Sequence, residues 1–154
     1  MRRSDKEITD SKEIAVIMEK AAVCRIALVD NGSPYIVPVN FVVRDNHLYF
    51  HSSRDGRKID LLRKNNRVCF EIDINTKIVK RDAPCSCGTR YLSVIGFGRA
   101  FFLEKATEKK KALNYLMEKY AGKGSFTYKS EVLEKVAVIS VRIEKITGKK
   151  SGYK

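Results

Sequence analysis

VCRIALVDNGSPYIVPVNFVVRDNHLYFHS, residues 23–52, is the stretch on which the fold turns. It holds three apolar runs, at 23–30, 35–43 and 47–52, separated only by NGSP (31–34) and by a tight turn at Asp45-Asn46. Asn-Gly readily supplies the positive φ that a short hairpin turn needs. Parallel neighbours would require crossovers of a dozen residues or more, so the three runs are predicted to form an antiparallel meander.

Working outward, Asp10 with Glu13 resembles a capping box, and Ile14, Ile17, Met18 and Ala21 recur at helical spacing. Residues 54–65 read as a short helix with Ile59 and Leu62 turned inward beside Leu61, and RVCFEIDI (67–74) as the next strand. NTKIVKRDAPCSCG is predicted to be a long loop or an irregular strand extension, and YLSVIGFGRAFFL (91–103) a long strand. A helix at about 107–121 carries Leu113, Leu116, Met117 and Tyr120 on one stripe and stops at Gly122. GKGSFTYKS is a loop and VAVISVRIEKITG (136–148) the last strand. The sum is a mainly β chain of about six strands and three short helices, a small antiparallel barrel with helices over its ends. No repeat or linker divides it, so 1–154 is expected to be one domain.

The 154 residues carry a formal charge of +13, which favours anionic partners. The bases are spread out: residues 54–67 hold Arg54, Arg57, Lys58, Arg63, Lys64 and Arg67 against Asp55 and Asp60. No apolar window reaches bilayer length and the start, MRRSDKEITD, is not a secretion signal, so a cytoplasmic protein without membrane contact is expected. Cys24 and Cys69 fall inside apolar runs; Cys85 and Cys87, as CSC, lack the companion pair of a zinc site, and no metal is expected.

Several residues stand out chemically. Arg57 and Lys58 follow a strand at the start of a helix, where an arginine fork, a lysine point charge and free backbone N–H groups suit a terminal phosphate. The same bases also fit a nucleic-acid strip or a solvated helix face. His51 ends the preceding strand nearby. Pro38, mid-run, marks an edge, a bulge or backbone turned to a ligand, and Asn40 on its face is either a buried polar group or exposed on the wet side. Ser93 stands amid apolar side chains. Gly96, Gly98 and Ala100 form a smooth face, suited to a flat ring or a second subunit, or else to the corner of a bent strand. No serine, cysteine or carboxylate constellation for catalysis is present, which points to a cofactor.

The phrases VCRIALVDNGSPYIVPVNFVV, LYFHSSRDGRKIDLLRKNNRVCFEID, RYLSVIGFGRA and ITGKKSG resemble, in unbroken order, the pyridoxamine 5′-phosphate oxidase-like flavin-binding proteins, nitroimidazole-resistance branch. That resemblance implies a six-stranded antiparallel split barrel of Greek-key order with about three peripheral helices. It implies a homodimer with FMN at the interface, Arg57 and Lys58 on the phosphate, and Pro38, Val39 and Asn40 along the isoalloxazine. It places His51 beside the flavin, in a catalytic role, Ser52 at the ribityl-phosphate end, and Ser93 and Val94, with Ile95, in the pocket wall. Where relatives often carry a tryptophan, this chain has PCSCGTRY. The activity implied is FMN-dependent electron transfer from a reduced nicotinamide or another donor to a small acceptor such as a nitroaromatic or quinone. A flavin-binding or redox-sensing protein without turnover is the alternative, and a single-stranded nucleic-acid-binding barrel a third; nucleic acid is the less favoured partner.

Overall fold

The computed structural model describes residues 3–153. A two-residue strand β1 (Glu7–Ile8) precedes α1 (Ser11–Lys20). Asp10 caps that helix as its sequence predicts, its carboxylate accepting the Lys12 N–H at 2.8 Å, and Ile14, Ile17 and Met18 are buried. β2 (Cys24–Asp30) turns through Asn31 (φ 50°) and Gly32 (φ 85°) into β3 (Ser33–Val39). β4 (Phe41–Arg44) turns through Asp45 and Asn46 (φ 49° and 61°) into β5 (His47–Ser53). α2 (Arg57–Lys64) buries Ile59, Leu61 and Leu62. β6 (Arg67–Val79), β7 (Gly88–Phe102), α3 (Ala106–Ala121), α4 (Ser130–Lys135) and β8 (Val136–Ser151) complete the described chain. No helix among the described residues is long and apolar enough to cross a membrane.

All ladders are antiparallel, in the order β3-β2-β6-β7-β8-β5-β4, with β1 added on β8. The expected meander is therefore two hairpins. The run 35–43 breaks at Asn40, and its halves lie at opposite ends of the sheet. The expected six-stranded split barrel is corrected on the same ground. The sheet has eight strands and is open, since no ladder among the described residues joins β3 to β4. Two local causes are visible. Pro34 and Pro38 share one phase of β3, and neither has an N–H to give a further strand. Phe41 at the start of β4 has its N–H taken by the Tyr120 hydroxyl at 2.8 Å. That hydroxyl also lies 2.8 Å from the Ala22 carbonyl and 3.0 Å from that of Phe41, donating to one at a time.

The helix count differs too: α4 fills the stretch between the expected loop, which it meets only at Ser130, and the expected last strand, giving four α-helices among the described residues instead of three. α1, α2 and one sheet face enclose the main core around Phe41, Phe50, Phe70, Ile26 and Val94. α3 and α4 cover part of the opposite face, where Val42 and Val138 meet Ala112, Leu113, Leu116 and Leu133. Met117 and Tyr120, expected on the inward stripe of α3, are exposed as whole residues, and Lys109 and Ala112 are buried instead. Lys109 tolerates burial because its ammonium donates to the Leu133 and Val136 carbonyls at 3.2 and 3.3 Å.

Candidate functional site

The end of β5 and the start of α2 bring the strongest sequence candidates together. Gly56 makes the connection at φ 126°, with nothing near its missing Cβ, so backbone conformation and not crowding calls for glycine there. The Ile59 and Asp60 N–H groups both reach the Gly56 carbonyl, at 2.9 and 3.1 Å. Those of Arg57 and Lys58 precede the first helical bonds and face outward as free donors of the first turn.

Lys58 places its ammonium 5.8 Å from the centre of the Phe50 ring, and no carboxylate among the described residues pairs with it. Burial of this uncompensated cation pushes its pKa down. His51, on the preceding strand, is exposed. Packing around its ring, and then the Lys58 ammonium, hold its pKa below the usual histidine value. The Lys58 ammonium, with no carboxylate beside it, and the two free amides of the first turn make this corner locally electropositive.

Arg57 is engaged differently. Its Nε and Nη2 both donate to Asp30 Oδ2, at 3.0 and 2.7 Å, and its guanidinium lies 4.6 Å over the Tyr35 ring. The β2–β3 hairpin thus holds the arginine at the helix start with its Nη1 edge uncommitted. Neither Asp30 nor Tyr35 was singled out in the sequence, because nothing in spacing ties position 57 to a hairpin 27 residues earlier.

The remaining candidates are split between two faces. Val39 and Val94 belong to the core, so a ligand meets those positions only through their backbone. Pro38 and Asn40 are exposed at the break between the two hairpins. Ser52, half-buried, pairs with Ala137 near the end of β5. Ser93 lies between Asp73 and Lys149 on the outer face, and Ile95, on that face too, is exposed. Ser93 and Val94 share no hydrogen bond or ring contact with the Arg57–Lys58 corner. His51 and Ser52 lie on β5 just ahead of the Arg57–Lys58 corner, whereas Ser93 and Val94 lie on β7.

The smooth glycine face does not serve a ring or a second subunit. A Cβ on Gly96 would stand 2.1 Å from Phe70 Cζ, and one on Gly98 would stand 2.2 Å from the Arg142 carbonyl oxygen. Both face the core. The first makes room for a phenyl ring and the second for the β8 backbone, where the register shifts between Phe97 and Gly98.

The loop with CSC is tied down by Cys87, whose Sγ accepts the Arg81 N–H at 3.3 Å and lies 3.4 Å from the Arg81 carbonyl. Clefts of about 280 to 340 Å³ occur elsewhere on the surface.

Residues 10–150 match the family described as pyridoxamine 5′-phosphate oxidase. A candidate 5-nitroimidazole antibiotic resistance protein from Bacteroides thetaiotaomicron is 34% identical, with a TM-score of 0.84 over 94% of this chain and 86% of that one. Two more distant structures share the fold. A flavocytochrome from Azotobacter vinelandii is 18% identical, with a TM-score of 0.86 over 99% of this chain and 72% of the other. An FAD- and heme-binding protein from Mycobacterium smegmatis is 16% identical, with a TM-score of 0.87 over 96% and 74%. No curated protein matches this chain.

Proposed function

This chain belongs to the pyridoxamine 5′-phosphate oxidase family, and on that premise we propose that it binds FMN and acts as an oxidoreductase. The observation that carries the reading is the unpaired Lys58 ammonium beside the first-turn amides of α2, with Arg57 held alongside. A phosphate monoester fits this corner: it would accept from the two amides, neutralise Lys58 and take the free edge of Arg57. When bound, FMN supplies two-electron redox chemistry. A reduced nicotinamide or another donor would supply the electrons, and a small acceptor such as a nitroaromatic or quinone would take them.

The chain's own residues bind and orient. Pro38 and Asn40 offer an exposed strand end to the ring system. His51, held neutral at pH 7, presents one ring nitrogen as donor and one as acceptor. Ser93, and Val94 through its backbone, contribute from a second copy of the chain. The outer sheet face offers a surface for such a homodimer: Ile36, Phe97 and Ile95 are exposed there along the rows that run through Ala27, Cys69 and Glu71.

Reconstitution with FMN tests this. One FMN per subunit is expected, with the two-banded flavin spectrum. Arg57→Ala and Lys58→Ala each remove a charge-assisted contact worth roughly 1.5–3 kcal/mol, or about ten- to a hundredfold in affinity. Full FMN affinity in the double variant overturns the assignment.

A further inference from the structure

The β6–β7 hairpin does not stop where the sheet stops. β2 pairs with β6 only as far as Glu71, and β8 pairs with β7 only from Tyr91 onward. Past a register shift between Ile74 and Lys77, with Asn75 at φ 56°, the pairs Lys77↔Arg90, Ile78↔Thr89 and Val79↔Gly88 continue as a two-stranded arm. Two strands alone are marginally stable in water, and like charges placed directly opposite weaken them further. This arm nevertheless sets Lys77 against Arg90.

Lys77, Lys80, Arg81 and Arg90 line one cleft of about 280 Å³, together with Ile78 and Val79. None of these four bases forms an ion pair among the described residues. Cys87 fixes the Arg81 backbone at the rim through its two hydrogen bonds, so this stretch of the tip is anchored. Lys149 and Lys150 at the end of β8 pair with Ser93 and Leu92 and add charge at the base of the arm. Arginines and lysines converging on one small concavity, with no carboxylate answering them, match two closely spaced phosphates better than an extended polymer.

We propose that this arm binds a pyrophosphate group, the part of a dinucleotide electron donor that lies outside the flavin site. Assigning the donor rests on the redox reading above; the pyrophosphate site itself does not. The exposed Ile78, 63% accessible, gives an apolar shelf beside the bases for a ring attached to that group.

Calorimetric titration of the FMN-loaded protein with inorganic pyrophosphate, and separately with reduced nicotinamide dinucleotide, tests the site at low salt. Binding of both is expected, weakening as salt rises, and falling at least about tenfold in Lys77→Ala/Arg90→Ala. The FMN spectrum should be unchanged in that variant, and its melting curve establishes that it is folded. Lys80→Ala/Arg81→Ala provides a second lesion confined to the tip. Pyrophosphate binding without dinucleotide binding removes the donor assignment and keeps the anion site. Absence of FMN binding with pyrophosphate binding intact overturns the redox reading alone. No pyrophosphate binding at low salt, or binding as tight as that of the wild type in both double variants, overturns the inference.

Discussion

Replacing Gly96 by alanine would add one methyl group at the place where β7 crosses the centre of the core. The new Cβ would fall 2.1 Å from Phe70 Cζ and 2.4 and 2.7 Å from the two Cε atoms. Phe70 has no exposed surface and packs among Ile26, Phe50, Ile72 and Val94, so the ring has no open space to enter. Overpacking of this kind costs about 1–3 kcal/mol. At ~2 kcal/mol, a protein of this size loses roughly 4–8 °C in Tm. The companion variant Phe70→Leu leaves a cavity in the wild-type background but makes room for the methyl. The double variant should therefore be less destabilised than the two single changes summed, by roughly 1 kcal/mol or more. Urea denaturation of the four proteins measures this coupling. Strict additivity, or a Gly96→Ala protein as stable as the wild type, refutes the core-facing assignment and returns this face of β7 to a ligand or a partner.

Two other sites give sharp outcomes. Tyr120→Phe removes the hydroxyl that takes the Phe41 N–H, leaving part-buried backbone groups unsatisfied. A loss of about 1–3 kcal/mol is expected, with faster hydrogen exchange at the Phe41 amide, and unchanged exchange there contradicts the role. Lys119 stacks 3.8 Å over the Phe41 ring and donates to the Met18 carbonyl at 2.9 Å. Burial pushes its pKa down from 10.5 to about 8, with Arg44 lowering it further and Glu19 and Cys24 opposing. Between those values the unfolded chain holds a proton that the native state has released, so this group makes stability rise with pH from 8 to 10.5. Buried tyrosines and Cys24 titrate with the opposite sign, so the comparison is with Lys119→Met. The variant's stability should gain less than the wild type's over that window, and parallel curves count against a depressed Lys119.

Much of this molecule is legible in local chemistry. Asn31-Gly32 and Asp45-Asn46 announce their turns because residues of those types tolerate positive φ, and Asp10 announces α1 because its carboxylate caps the first turn. Arg57 and Lys58 are legible as a pair because charge at a helix start is itself the signal. The break at Asn40 is not, since YIVPVNFVV keeps strand-like alternation on both sides and the hydroxyl that satisfies Phe41 comes from Tyr120, far along the chain. α4 hides because its six residues are too few for an apolar stripe and no side chain caps it. The orientation of Gly96 could be read from alternation; what it faces depended on Phe70, which only the β6–β7 register supplies.

The position of β8 has a consequence for how the protein is made. It is the one strand that joins the β3-β2-β6-β7 half of the sheet to the β5-β4 half. While a ribosome is still producing residues 136–151, both hairpins of the first third of the chain are already outside. The growing sheet at that stage presents two open edges, on β7 and on β5, in addition to those of β3 and β4. Unpaired edges of that length are templates for strand pairing between molecules. The nascent chain is thus most vulnerable just before its last long strand arrives, and a stall or a nick ahead of Val136 would release an aggregation-prone intermediate instead of a smaller working domain.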